Sequence, residues 1–553
     1  MAGFLGFDGG TDGVARRDQG AALPVPRPDE SDGPRAGGTG GAGRRPASYQ
    51  HHPNLGRRVM RLHPHAMRRS PHAGNGASTL TCRARGSVLI IALWIAFGLV
   101  SLALYFAQTM SFELRAADQR AAAIEASQAI AGAIRYASNV LATLVEEPGL
   151  PPDDFSYASE AVPVGDATFW FLGRNPHQAL ANRPAFGLVD EASKLNLNTA
   201  TAEMLQLLPG MTPEFAAAIV DWRDSDSEVS PGGAEDETYL RLNPAYRCKN
   251  APFESVEELR LVYGADLQYL FGEDTNLNGV LDPNENDGDL SPPEDDRDGQ
   301  LDAGLLEYVT VYSAEPNTRA DGTSRLNVNG QDQQALASLL QQYFGTDRAN
   351  AILRQIGVPG GGGGGPGGGG PGGGTNAPAP TFSSLLHYYL RSGMTPDEFA
   401  QVEGELTVST NATGLVNVNT ASEAVLACIP GIGFENAGAL VAYRQMQSGR
   451  LGTLAWVTEV LEEADAIQAG PYLTGRSYQY SADIVALGRQ GRGYQRVRCV
   501  LDTSGGAPRL VTRQDLTHLG WALGPEVREV LLTARREGIP LTANRRSGGF
   551  LNW

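Results

Sequence analysis

Between Ser87 and Phe112 the chain carries no charged residue, and Val88–Phe106 (VLIIALWIAFGLVSLALYF) is an unbroken apolar run of 19 residues. A helix of that length spans a hydrocarbon core. Arg83 and Arg85 stand before the run, and Glu113 opens an acidic region after it. The positive-inside rule then leaves everything C-terminal to the run outside the cytoplasm. No A-x-A site follows it, which disfavours its removal as an ordinary secretory signal. From Glu113 to Glu147 the sequence is Ala-rich, with no Gly before Gly132 and no Pro before Pro148, so the helix is expected to continue out of the membrane. From Ser87 to Glu147 it would be roughly 90 Å long at about 1.5 Å per residue.

Charge divides the chain at the same place. Residues 1–86 hold 13 Arg against 6 Asp and Glu; the remainder holds 31 Lys and Arg against 56 Asp and Glu, a net of -25. A body that acidic repels phosphate backbones and anionic headgroups, which speaks against nucleic acid as a partner. The basic, Gly/Pro-rich residues 1–86 show no apolar periodicity and read as a disordered leader, or in part as untranslated upstream codons. A start at Met67 would leave a short basic leader. Residues 87–147 form the membrane-spanning and extended helix. A body with a helical insert follows over 148–356, with strand-like segments at Thr168–Leu172 and Phe186–Val189. The Gly/Pro-rich stretch 357–380 is a linker, with 13 Gly in Gly360–Gly374. A second helical region occupies 381–465. Strands at Ser477–Leu487, Tyr494–Leu501 and Arg509–Thr512 make a β-rich region of 466–553. Cys82, Cys248, Cys428 and Cys499 are too widely spaced for a disulfide scaffold or a CxxC zinc site. His177, His387 and His518 stand apart and no nucleophile motif occurs, so no catalytic set is visible and the chain does not read as an enzyme.

One pattern recurs. Leu195-Asn196-Leu197-Asn198-Thr199-Ala200, Leu326-Asn327-Val328-Asn329 and Val416-Asn417-Val418-Asn419-Thr420-Ala421 echo one another. The first and third lead into Leu208-Pro209-Gly210 and Ile429-Pro430-Gly431-Ile432-Gly433, then into helices ending at Trp222-Arg223 and Tyr443-Arg444. This looks like paired helix-hairpin-helix units. Such hairpins meet phosphate through backbone N–H groups. Only Arg444 and Arg450 lie near the second one, so packing between repeats is the expected use.

A second motif carries metal chemistry. Asp274-Thr275-Asn276-Leu277-Asn278-Gly279-Val280-Leu281-Asp282-Pro283-Asn284-Glu285 fits the EF-hand loop D-x-N-x-N-G-x5-E. Ca²⁺ takes six to eight oxygens. Asp274, Asn276, Asn278 and Asp282 offer side-chain oxygens, Val280 a carbonyl, and Glu285 two oxygens. Asp296, Asp298 and Asp302 form a partial second copy, and Asp224, Asp226, Glu235 and Asp236 are further acidic candidates.

The junction Arg85-Gly86-Ser87 before an uncharged helix resembles the class III signal of type IV pilin-like proteins. There a membrane peptidase cuts after the Gly and the helix stays on the mature protein. The Glu usual at the fifth mature position is replaced by Ile91, which agrees with protein K of type II secretion systems (GspK), a minor pseudopilin family. Asp190–Ala200 (DEASKLNLNTA), Leu208-Pro209-Gly210-Met211, Ala218–Asp226 (AIVDWRDSD), Gly233-Ala234-Glu235-Asp236 and Glu257–Val262 (EELRLV) are similar to that family in its own order. The resemblance covers about residues 86–345, with a further match in 410–530.

The resemblance implies an α+β fold: a pilin-like helix, a pseudopilin-type β-sheet and an inserted α-helical, SAM-like domain. The Gly-rich linker and the second helix-hairpin-helix region make it an enlarged member. It also implies cleavage at Gly86/Ser87 by the prepilin peptidase, N-methylation of Ser87 and Ca²⁺ as the cofactor. Its partners would be other minor pseudopilins, the major pseudopilin and the inner-membrane assembly platform. The chain would sit in the bacterial inner membrane by a single pass, its body in the periplasm, as a tip component of the pseudopilus. The competing reading is a membrane-anchored helix-hairpin-helix DNA receptor of the competence type.

Overall fold

The computed structural model describes residues 87–143, 156–174, 184–319, 321–358, 381–409 and 412–537. The leader 1–86 with Gly86, the end of the expected long helix at 144–147, and the glycine run Gly360–Gly374 lie outside the described residues.

One helix, Ser87–Thr143, runs for 57 residues. Its first part buries nothing: Val88 through Met110 are exposed, Trp94 at 73%. Among the described residues it is the one helix long and apolar enough to cross a membrane by length and composition. Beyond Ala121 the same helix changes character. Ala122, Ala126, Ala129, Ile130, Ala133, Ala137 and Leu141 form a buried stripe at helical spacing.

The stripe lies on a six-stranded antiparallel sheet. Its strands are β1 (Val162–Val164), β2 (Ala167–Leu172), β3 (Val189–Asp190), β4 (Gln479–Gly488), β5 (Arg492–Asp502) and β6 (Arg509–Asp515). The order is β1-β2-β4-β5-β6, with β3 pairing β4 beyond the end of β2. The stretches that the sequence separates as a body at 148–356 and a β-rich region at 466–553 therefore share one sheet. Phe169, Phe171, Ala482, Ile484, Val497, Cys499 and Leu501 face the long helix. Trp170, Leu172, Val485 and Leu487 face the other way, under Ala522, Leu523 and Val527 near the start of the helix Gly524–Glu537. Both faces are covered, so all ten residues of β4 are buried.

The helix meets the sheet most closely where two glycines remove side chains. A Cβ on Gly488 would stand 2.1 Å from the Ala122 carbonyl oxygen, and one on Gly493 2.4 Å from the Ala122 carbonyl carbon. Ion pairs Arg489–Glu125 and Arg492–Asp118 flank that contact.

The region between β3 and β4 is helical and holds three copies of one module. Leu195–Asn196, Leu326–Asn327 and Val416–Asn417 each form a two-residue parallel pair, with Val309–Thr310, Leu406–Thr407 and Leu473–Thr474. In each copy the first Asn side chain accepts from the backbone N–H of the second (2.9, 2.8 and 3.0 Å). The second Asn then donates to the carbonyl of Phe253, Phe382 or Leu451. These Asx turns fix the chain before two helices joined at a left-handed glycine: Gly210, Gly345 and Gly431. The middle copy, whose Asn motif is not followed by a Pro-Gly turn in the sequence, is complete. Its two helices run together over Gln333–Gln355, broken only by non-helical Gly345.

Asp190 of β3 joins the parts. Its carboxylate accepts from the Ala192 backbone N–H and from the side chains of Asn417, Thr420 and Ser477. Burial nevertheless raises its carboxyl to about 6.

Candidate functional site

The loop 274–285 folds around its own side chains. Asp274 accepts from the backbone N–H of Asn278 and Gly279, both at 2.8 Å, which closes the turn at left-handed Leu277 and Gly279. Asp282 accepts from the side-chain amides of Asn276 (2.7 Å) and Asn278 (3.0 Å). Asn278 Oδ1 takes the Val280 N–H, and Glu285 Oε2 the Asp282 N–H. What remains is informative: Asn276 Oδ1 and Glu285 Oε1 are buried without a hydrogen-bond partner. A buried unpaired oxygen costs ~1–3 kcal/mol unless something supplies the missing positive charge. Burial pushes the Glu285 carboxyl up to about 8, and those of Asp274 and Asp282 above the usual range. Among the described residues no group of three or more His, Cys, Asp or Glu converges as a metal cluster by itself. The loop would complete a set with two Asn oxygens and the Val280 carbonyl. All of these donors are oxygens, so the residues fit a hard cation.

Two arginines missed in the sequence hold the loop from behind. Arg496 on β5 is fully buried. It pairs with Asp483 on β4 and donates to the carbonyls of Asn276 and Leu277. Arg174 donates to the Leu277 carbonyl (2.6 Å) and pairs with Glu307 (2.7 Å). In front, Asn276 donates to the carbonyl of Trp521 at 3.2 Å. The loop is thus fastened to the sheet and to the C-terminal segment. No local pattern in the sequence signals partners that lie 103 to 245 residues away.

The partial copy differs. Asp296, Asp298 and Asp302 are exposed, and Asp296 and Asp298 accept from backbone N–H groups two residues on. These turns satisfy themselves.

A third acidic group is more telling. Both carboxylate oxygens of Glu235, with Asp224 Oδ1 and Asn250 Oδ1, are buried without a hydrogen-bond partner. Asp221, fully buried, is close enough to raise the carboxyls of Glu235 and Asp224 further, after desolvation. A Cβ on Gly233 would sit 2.1 Å from Asp221 Oδ2, so that glycine gives the carboxylate its space. Of the four residues read from sequence, Asp224 and Glu235 join this set. Asp226 is exposed, its Oδ1 accepting from the Glu228 N–H, and Asp236 turns to the Cys248 N–H and Arg247. Asp221 and Asn250 were not legible as members.

The hairpin Pro430–Gly433 offers little to a phosphate. A Cβ on Gly431 would strike the Asp465 carbonyl oxygen at 2.5 Å, so the turn is packed on the neighbouring helix. Arg444 is buried and donates to the Val418 carbonyl of its own repeat, as Arg223 does to Leu197 and Ala200. Cys248, Cys428 and Cys499 are buried free thiols, each raised by burial to about 12.

Residues 178–270 match the family model described as type II secretion system, protein K. A protein named type II secretion system protein K from Klebsiella pneumoniae is 40% identical over 68 residues, 12% of this chain and 21% of that one. Its namesake from Pectobacterium carotovorum subsp. carotovorum is 35% identical over 85 residues, 14% of this chain and 26% of the relative. The chain thus spans about a quarter or less of the length of the curated relatives it matches. A solved GspK-GspI-GspJ complex from enterotoxigenic Escherichia coli aligns over 73% of this chain and 99% of its own, at 12% identity and a TM-score of 0.34. That score does not establish a shared fold. The resemblance to protein K is shown on the 178–270 stretch, which holds the first Asn motif and the acidic set around Glu235.

Proposed function

We propose that this chain, a relative of type II secretion system protein K through residues 178–270, is a minor pseudopilin at the tip of the pseudopilus. The observation that carries the reading is the division of labour along the helix Ser87–Thr143. Its first half exposes every large apolar side chain, and its second half buries an alanine stripe on a sheet. A protein with that helix is held in a membrane by one half while the other presents a folded body beyond it.

The remaining parts follow from that reading. The prepilin peptidase cuts between Gly86 and Ser87, and Ser87 is N-methylated. The anchor passes once through the inner membrane, and the body stands in the periplasm. The role is structural rather than enzymatic. In pilin-like fibres, the Glu at the fifth mature position pairs with the N-terminal ammonium of a neighbour inside lipid. A bare charge at that depth costs at least ~2.5 kcal/mol. Ile91 cannot make that pair, so this subunit suits the end of a fibre rather than its shaft. Other minor pseudopilins and the major pseudopilin would meet it through the helix face left open around Leu114 and Ile124, 68% and 64% exposed. The inner-membrane assembly platform would engage the anchor.

Calcium is the cofactor this reading assigns. The loop Asp274, Asn276, Asn278, Val280, Asp282 and Glu285 would hold one ion, and Asp221, Asp224, Glu235 and Asn250 another. The ion supplies the positive charge that the buried oxygens lack, and the chain's part is to fix those oxygens between sheet and helices.

Photo-cross-linkers placed at Leu114 and Ile124 in cells test the assembly. Adducts with smaller pseudopilins are expected. A ladder of this chain cross-linked to itself would overturn the tip assignment.

A further inference from the structure

The strongly acidic stretch 273–302 and the short helix just before it expose several large apolar side chains. Leu267 is 63% exposed and Tyr269 43% on the short helix Leu267–Phe271, and Leu290 is 80% exposed. Beside that helix lies a cavity of about 330 Å³ lined by Leu267, Gln268, Phe271, Gly272, Thr275, Pro293 and Glu294. Its size is within the range of ligand pockets. The lining is apolar apart from Gln268, Thr275 and Glu294, too few polar groups to orient a small polar ligand. Phe271 forms part of the wall and is held in place by Arg260, whose guanidinium carbon stands 5.3 Å from the ring centre.

Charge identifies what would cover it. Residues 273–302 contain eleven Asp and Glu and one basic residue, Arg297, a net of -10. One divalent cation in the loop 274–285 would still leave -8, that is -10 plus 2. Glu294 brings that charge to the pocket's edge. An apolar cavity at the rim of a strongly acidic surface selects a segment that is apolar on one side and basic on the other, because anions and neutral strands gain nothing from the rim.

We propose that this pocket is a docking site for a basic amphipathic segment of a partner protein, seated by one large apolar side chain between Leu267 and Pro293. This is an interaction surface distinct from the long helix, on a part of the chain outside the family's matched region apart from its first wall residues. The rim charge accelerates encounter and sets salt dependence, while the apolar anchor sets residence.

The test uses the full chain in detergent and a synthetic helical peptide of about 16 residues, with Leu at i, i+3, i+4 and i+7 and Lys on the opposite face. Calorimetry should give saturable 1:1 binding that weakens about tenfold or more with Leu267→Asp, and weakens steeply with added salt. Leu267 is mostly exposed, so the variant should melt with the wild type, and the less drastic Leu267→Ala should show a smaller loss in the same direction. A matched peptide with Glu in place of Lys should not bind. Equal binding of the acidic peptide, indifference to Leu267, or Leu267-dependent self-association of the chain would each overturn the proposal. Because dependence on Leu267 can be read in calcium or in chelator, failure here is separable from failure of the calcium assignment.

Discussion

Gly488 is the tightest test of how the long helix is seated. Alanine there places a Cβ 2.1 Å from the Ala122 carbonyl oxygen, against a floor of 3.0 Å for real contacts. The obstacle is backbone, so it cannot rotate away. The helix must lift from the sheet by at least the difference, 3.0 - 2.1 = 0.9 Å. A gap near 1 Å forfeits roughly a quarter to a half of the dispersion contact across it. The interface that would open holds Ala126, Ala129, Ile130, Ala133, Ala137 and Leu141 against Phe169, Phe171 and Ile484. Overpacking of this kind costs about 1–3 kcal/mol. For a compact unit as large as Ser87–Trp553, whose unfolding entropy scales with its length, that is a fall of roughly 1–4 °C in melting temperature. Gly493→Ala meets the same helix carbonyl and also has a φ of 67°, so it adds ~1–2 kcal/mol of left-handed strain. Scanning calorimetry of the full chain in detergent measures both. Gly505→Ala is the control, since nothing lies within 4 Å of a Cβ there. If Gly488→Ala melts with Gly505→Ala and the wild type, the helix is not seated on the sheet as described.

Two further outcomes are expected. Metal that binds only the folded chain stabilises it by mass action, about 2.7 kcal/mol at a hundredfold excess over Kd. Chelation should therefore lower the melting temperature, Asp274→Ala with Glu285→Ala should remove part of that difference, and adding Glu235→Gln should remove the rest. Identical melting of the wild type in calcium and chelator would mean that neither set takes the ion. Asp190 has a folded value of about 6 against 3.8 in the unfolded chain. The folded state thus holds the proton more tightly, and the contribution is present below about pH 4 and lost as pH rises through 6, up to about 3 kcal/mol. Asp190→Asn should abolish that slope in melts run in calcium from pH 4 to 7.5; a variant with the wild-type slope would refute it.

The long apolar helix was legible because an uncharged run of that length has few other uses, β2 because Phe169-Trp170-Phe171-Leu172 is an unbroken apolar run, and β4 and β5 because residues that favour strands, among them Ile484-Val485 and Val497-Arg498-Cys499-Val500-Leu501, lie between turns. The sheet's order was not. Phe171 of β2 pairs with Ile484 of β4 more than 300 residues later, and no local pattern encodes that separation. The parallel pairs such as Leu195–Asn196 with Val309–Thr310 are two residues long, too short for alternation to register. The helix Gly524–Glu537, in the stretch read as β-rich, was missed because its sequence is strongly polar. The middle module hid because Phe344-Gly345-Thr346 stands where its siblings have Pro-Gly. At the candidate site the loop motif was readable because six ligand positions fall within twelve residues. Arg174, Arg496, Asp221 and Asn250 were not, since only tertiary folding brings them there.

The central claim is that a pilin-type helix, cut after Gly86, carries this body into a fibre tip. Mass spectrometry of the mature N-terminus, on protein purified from membranes of a secreting cell, tests it most directly. The account predicts a chain beginning at N-methylated Ser87 with the apolar helix intact. A chain that keeps residues before Ser87, or one cut after the apolar run, would contradict it.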